Sequence, residues 1–474
     1  MVLSLRTSVR LCLVLLLAAI SLFGCATEPG KPAAADLATP YVIMGADGNA
    51  VARLLTTAAS CPMITLDGQT SRMDVRALPA TLPQRPTQSL PTLSKASAFP
   101  VLTCEKQLAS SLKSASIDGR ALPLPKADAN RIVVIGDTGC RLKASDNAFQ
   151  SCNDIKQYPF ATIAAVAADW KPDLVIHVGD LHYRENPCPE GNAGCANSPW
   201  GYGLDAWQAD FFSPGKRLLQ VAPWVMVRGN HESCLRAGQG WWRFIDPRPL
   251  QPKRDCNNAA DDDIGNYSDP YAVPLGSGAQ LIVLDTANTT GAPIPESDGR
   301  FRQYLEMAQK ADALSQKAAY NIGLNHHPIL GFSSKQNADG KIALVPGNPG
   351  LQSVLGTAYP LMLPPRINVM LSGHIHLWQQ VSFGSAHATQ FIAGISGTAE
   401  DKVPLPALLP KGAMPAPGAI ADQLSSWVDG FGFMTMERSG AEQWDVKVWD
   451  TAGQQMNACR VVGSKSLCEK AQVQ

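Results

Sequence analysis

RIVVIGDTG (131–139) sets the reading of the whole chain. Its apolar residues are all β-branched and a glycine closes them, which reads as a buried strand of a parallel or mixed sheet. Asp137 stands just past the strand's end. The layout recurs four times: LVIHV (174–178) runs into GDLHY (179–183), WVMV (224–227) precedes GNHE (229–232), AYNIGL (319–324) runs into NHHP (325–328), and INVMLS (367–372) runs into GHIH (373–376). In an open α/β sheet, loops at the carboxyl ends of strands gather at one crevice. Asp137, Asp180, Asn230, His326, His374 and His376 are therefore expected to meet there, with Tyr183 close by.

Imidazole and carboxylate together suit Zn, Fe, Mn, Co or Ni, whereas calcium takes oxygen donors alone. The donors are too many for one tetrahedral ion. They suit two ions bridged by a carboxylate, and metals about 3.5–4 Å apart are a common device for in-line displacement at phosphorus.

These blocks resemble the calcineurin-like metallophosphoesterases, and among them the purple acid phosphatases most. The order D, GDxxY, GNH, H, GHxH is matched in full. Most of that superfamily carries Asp-x-His in the first block, with the His on the first metal. Here Gly139 stands at that place, and Tyr183, three residues after Asp180, offers the missing donor. Phenolate is hard and anionic and favours Fe(III). The resemblance implies a four-layer α/β/β/α sandwich and two ions. Fe(III) would sit at Asp137, Asp180, Tyr183 and His376, and a divalent ion (Zn, Fe or Mn) at Asp180, Asn230, His326 and His374, with Asp180 bridging. In the NHHP block the family's ligand stands two before the proline, which is His326; adjacent side chains in a strand-end loop point apart, so His327 is expected behind it. The implied reaction is hydrolysis of a phosphate monoester by a metal-bound hydroxide, with His231 serving the leaving oxygen. The other readings are a phosphodiesterase acting on nucleotide or lipid-headgroup diesters, and a surface lipoprotein that binds a partner through a vestigial site.

Residues 1–25 read as a targeting segment. Arg6 and Arg10 precede an apolar core, and Leu22–Cys25 resembles a bacterial lipobox. The expected product is a periplasmic or outer-membrane-associated lipoprotein held through Cys25; ordinary cleavage without lipid is the alternative. Residues 26–38 read as a tether. Formal net charge is +0, so no polyanion surface is advertised and no nucleic acid polymer is expected as a partner. Of twelve cysteines, Cys12 and Cys25 belong to the leader. The even remainder argues for disulfides in an oxidising compartment. Pairing sequence neighbours gives 61–104, 140–152, 188–195, 234–256 and 459–468, although spacing alone does not fix connectivity.

Residues 39–125 read as a small β-rich domain with a long Pro-, Thr- and Ser-rich loop from Ala77 to Pro100. The catalytic domain is expected over 130–455 and a disulfide-tied extension over 456–474. Within the catalytic domain, PFATIAAVAADW (159–170) and SDGRFRQYLEMAQKADAL (297–314) have helical periodicity, the latter with Ser297 as candidate N-cap. FGFMTMER (431–438) is expected to complete the second sheet, and WDVKVWD (444–450) to be the last strand. Residues 186–203 read as a disulfide-held loop over the crevice. His182 points either at substrate or into that loop. Asp261–Asp263 reads as a solvated acidic loop rather than a calcium site. Arg228 and Arg236 flank GNHE and are candidate phosphate contacts.

Overall fold

In the computed structural model, the β-branched run Arg131–Ile135 is a central strand with two different neighbours. Leu174–His177 lies parallel on one side and Gly432–Gly440 antiparallel on the other. The structure describes residues 39–85, 89–401, 410–470 and 472–473. The leader, the tether, Cys25 and residues 402–409 lie outside the described residues.

Alternation along the central strand builds the layers. Ile132 and Val134 face one core, and Val133 and Ile135 face another. The first core lies between two large sheets and is filled from the other side by Leu281, Ile322, Leu324, Val369 and Leu371. The second packs against Phe160, Ile163, Ala164 and Ala167 of the helix Phe160–Asp169 and against Trp207 and Phe211. A third core lies behind the second sheet, beneath Gly299–Ser315 and Pro349–Ala358. The layers therefore run α/β/β/α. The helix at 299 is capped by Asp298, whose side chain accepts from Arg300 N, and not by Ser297.

The first sheet has eleven strands and the second eight. Their middles carry the motif loops: Arg131–Ile135, Leu174–His177 and Trp224–Met226 are neighbours in the first, and Tyr320–Leu324 and Ile367–Ser372 in the second. Gly432–Gly440 belongs to the first sheet, contrary to expectation. Alternation shows that a strand has two faces but does not say which sheet it joins.

Residues 39–125 are rich in strands, and the boundary drawn near 125 does not interrupt the sheet. Tyr41–Met44 pairs parallel with Trp224–Met226, and Ala50–Thr56, Leu102–Leu108 and Asp74–Ala77 follow. Two buried arginines tie this region to the catalytic one. Arg53 donates to Phe244 O at 2.8 Å and Arg76 to Trp242 O at 2.6 Å, and both pair with Glu105. The far end also continues the sheet. WDVKVWD is followed by the hairpin Gln455–Val462 and Lys465–Cys468, in which Cys459 faces Cys468. Asp36–Gln474 forms one compact unit. All five disulfides, 61–104, 140–152, 188–195, 234–256 and 459–468, are present. Among the described residues no helix is long and apolar enough to cross a membrane.

Candidate metal centre

The five motif loops converge at the carboxyl ends of their strands, and the backbone there is bent in a particular way. Asp137, Asp180 and His374 have φ of 55°, 57° and 72°. That left-handed region costs a non-glycine residue about 1–3 kcal/mol, although Asp and His tolerate it better than most. Each of these side chains is turned inward by its own strained residue. Gly136 supplies space: a Cβ there would lie 2.5 Å from Val178 Cγ2. The GHIH pair likewise sits on a bend rather than on extended chain.

The Tyr183 hydroxyl is the focus of one half of the cluster. Its oxygen lies 2.8 Å from Asp137 Oδ1, 2.9 Å from Asp180 Oδ2 and 2.9 Å from His376 Nε2. In the other half, His326 Nε2 is 3.0 Å from Asp180 Oδ2 and 3.1 Å from Asn230 Oδ1, and His374 Nδ1 is 3.1 Å from Asn230 Oδ1. Asp180 belongs to both halves. The outer nitrogens of two candidate ligands are fixed from behind: His326 Nδ1 donates to Val178 O at 2.9 Å and His376 Nδ1 to Ala399 O at 2.8 Å. That leaves both Nε2 atoms bare and facing inward, the arrangement that prepares imidazole for a metal.

The motif resemblance implies two metal ions here, and the donor set fits them. Tyr183 has one proton for three contacts within 2.9 Å, two of them to carboxylate oxygens, so the cluster's own protons do not satisfy it. Burial raises the Tyr183 phenol well above its usual range, and Asp137 and Asp180 raise it further. Burial also holds the Asp137 carboxyl high. At His326 burial is outweighed by Asp180, which pushes the imidazole up to about 9. The Tyr183 phenol, the Asp137 carboxyl and the His326 imidazole thus register a demand for positive charge. Donor atoms of Asp137, Asp180 and His326 lie within 4.8 Å of one another, as do those of His326, His327 and His374.

Gly139 explains the exchange of His for Tyr in steric terms. A Cβ on it would lie 2.7 Å from Tyr183 N and 2.8 Å from Asp210 Oδ2. Buried Asp210 accepts from Cys140 N at 3.0 Å, Tyr183 N at 2.7 Å and Arg184 Nε at 2.6 Å, and so welds the first block to the second. A side chain at 139 has no room once Tyr183 is packed there.

Around this cluster the remaining candidates separate. His231 lies at the site, its N donating to Asp180 Oδ1 at 2.8 Å and its ring 3.9 Å from that of Tyr183. It is held not by Glu232 but by Glu185, whose Oε1 is 3.0 Å from His231 Nδ1, and by Arg236, whose guanidinium pairs with the same carboxylate. Burial lowers the His231 imidazole to about 4, with Arg236 adding to it. Glu232 instead collects Asp180, Leu181, His182 and Gly229 amides at 2.9–3.1 Å and shapes the second loop. Arg228 is a structural partner of Asp285 at 2.6 Å. His182 points into the loop, 2.9 Å from Gly201 O. His327 is buried behind His326, with Nδ1 3.4 Å from Thr286 Oγ1. In the acidic run Asp262 pairs with Arg85 at 2.5 Å.

The cluster opens into a cleft of about 510 Å³. Residues 186–203, expected above it, do not line it. Part of its wall is the hairpin of Phe332–Gln336 and Ile342–Pro346, which sequence reasoning missed. The signal was present in Asn337–Gly340, a turn closed by Gly340 N donating to Asn337 O at 2.9 Å, with Gly340 at φ 81°. Glu185 was missed too, and a glutamate five residues past Asp180 carries no motif.

A family model described as calcineurin-like phosphoesterase matches residues 130–377. The chain belongs to that family. Its class is therefore that of phosphoesterases built on a binuclear metal site. A solved structure of a purple acid phosphatase isolated from yellow lupin (Lupinus luteus) seeds is similar at a TM-score of 0.56 and 14% identity, covering 90% of this chain and 73% of that one. A structure of PhoD gives 0.46 and 11%, covering 92% of each chain. GAP50, described as the anchor in the inner membrane complex of Plasmodium, gives 0.39 and 13%, covering 71% and 89%. At such identities the lupin likeness speaks for the fold alone. No curated protein matches.

Proposed function

We propose that this phosphoesterase hydrolyses phosphate monoesters in the manner of a purple acid phosphatase. Asp137, Asp180, Tyr183 and His376 would hold Fe(III), and Asp180, Asn230, His326 and His374 a divalent ion, Zn, Fe or Mn. The observation that carries this reading is the Tyr183 oxygen within 2.9 Å of two carboxylates and an imidazole. A phenolate among carboxylates is a hard, anionic donor set suited to a trivalent ion. When bound, the two cations neutralise phosphoryl oxygens and acidify water.

The chain's own residues supply the rest. His231 keeps Nδ1 toward Glu185, and its Nε2 lies 2.7 Å from Arg236 Nη2 and 3.8 Å from Asp180 Oδ2. With the imidazole held down to about 4 by burial and Arg236, a proton for the leaving oxygen is carried there only toward acid pH, where the Glu185 carboxylate faces the imidazolium. Arg236 lines the cleft with its guanidinium anchored on Glu185, an orientation suited to a phosphoryl oxygen. The proposal includes an address outside the cytoplasm, as a periplasmic or outer-membrane lipoprotein anchored at Cys25. Its support is the leader's sequence and the five disulfides.

The test is hydrolysis of an aryl phosphate monoester and diester by metal-loaded protein between about pH 4 and 8. Preference for the monoester at acid pH is expected. Preference for the diester would replace this reading with the phosphodiesterase one. Turnover of neither would favour a binding role.

A further inference from the structure

The cleft's two walls differ in charge. The wall drawn from residues 291 and 328–349 carries no charged side chain among its lining residues. The other carries Arg141 and Lys143, on the short hairpin of Leu142–Lys143 and Ala148–Phe149. This hairpin is pinned at several points. Cys140 is bonded to Cys152, and its N donates to Asp210. Leu142 is buried, and its N donates to Tyr183 O at 3.0 Å. Gln150 Oε1 accepts from Arg141 N at 2.8 Å and Ala399 N at 3.0 Å, and Ala399 O holds His376. Arg141 and Lys143 flank the buried Leu142 on extended chain, so both point to the cleft side. Their positions are tied through backbone to two of the proposed iron ligands.

These cations share one carboxylate. Asp146 accepts from Arg141 Nη2 at 2.7 Å and from Lys143 Nζ at 3.0 Å. Asp401 on the same wall takes His376 N at 2.9 Å. Arg141 Nε is buried without a partner, and no described group accepts from Nη1. Arg141 also borders a second cavity, of about 820 Å³, lined further by Gln150, Ser151, Asp429 and Phe431. Arg141 thus borders both spaces.

We infer that Arg141 and Lys143 bind a second oxyanion of the substrate, a phosphate or a carboxylate, so that the preferred substrates are phosphate monoesters bearing another anionic group. The inference rests on the monoester reading above. A guanidinium with free donors beside an ammonium is a pairing that recognises oxyanions by fork geometry and by charge.

The experiment compares kcat/KM for propyl phosphate, propane-1,3-diol bisphosphate and 3-(phosphonooxy)propanoate, with metal-loaded protein and its R141Q/K143Q variant. The wild type should favour one or both doubly anionic substrates. The variant should lose about tenfold or more on those and stay within about threefold on propyl phosphate. Which of the two is favoured identifies the second oxyanion. K143Q alone should show a smaller loss confined to the same substrates, and it serves if the double variant does not fold. Equal losses on all three substrates, or no wild-type preference, would overturn the inference and leave the monoester reading standing. No turnover of any of the three substrates by wild type would sink both.

Discussion

On one side of Asp180, the set Asp137, Tyr183 and His376 is buried and carries the anionic donors; on the other, Asn230 and His374 are neutral, more exposed donors beside buried His326, and residues of both sets line the cleft. The anionic half is built to one pattern. Asp210 and Gly139 clamp the Tyr183 backbone, and the phenol has no place to go other than the cluster. In the more exposed half His326 is fixed by one carbonyl, as His376 is in the other, and Asn230 by its contacts to two imidazoles. The difference suggests a division of labour. Buried anionic donors favour a highly charged ion that stays in place, and neutral, partly exposed ones leave room for substrate oxygen.

The largest expected effect comes from the residue the halves share. Asp180→Asn removes the bridging charge, and the loss of several kcal/mol of transition-state stabilisation is about 10³-fold in turnover at about 1.4 kcal/mol per tenfold. Metal analysis should find fewer than two ions per chain. Two ions bound with full turnover would dissolve the comparison altogether.

Gly139→Ala attacks the anionic half alone. The added carbon meets backbone and a buried carboxylate, so Tyr183 must shift, and a misplacement of about 1 Å costs about 10²-fold. The divalent ion should remain. Gly291→Ala on the cleft's uncharged wall, where nothing lies within 4 Å of the new carbon, is the control and should change nothing measurable. Similar losses at both positions would mean that the packing of Gly139 is not what matters.

A smaller change is expected at Glu185. Glu185→Gln keeps the shape but removes the charge beneath His231 and Arg236, and turnover should fall about tenfold with metal content unchanged. Loss of an ion would show that Glu185 supports the metal cluster rather than the proton donor.

Much of this site was legible because its chemistry sits at strand ends. A β-branched run closed by glycine marks a buried strand whatever its partners are, and a polar residue just past it is placed at the crevice by topology. The Gly139 and Tyr183 exchange was legible as a pattern, and the close approach at 139 supplies its reason. What escaped were features set by partners distant in sequence. Gly432–Gly440 chose its sheet through pairing with Arg131–Ile135, which its alternation does not encode. The strands of 41–108 joined the catalytic sheet through one parallel pairing, Ile43 with Trp224. Asp298 took the cap from its neighbour Ser297 because two adjacent residues can both serve and only backbone direction decides. Glu185 and Asp210 act through contacts to backbone and side chains that no spacing announces.

The central claim is that Tyr183 is the ligand that replaces the missing histidine and sets one half apart from the other. Its most direct test is the visible absorption spectrum of iron-loaded protein beside that of Tyr183→Phe, with iron counted in both. A band in the visible that is present in the wild type and absent from the variant, at equal iron, is the result expected. A colourless wild type that turns over substrate with two zinc ions, or a band that survives in Tyr183→Phe, would contradict it.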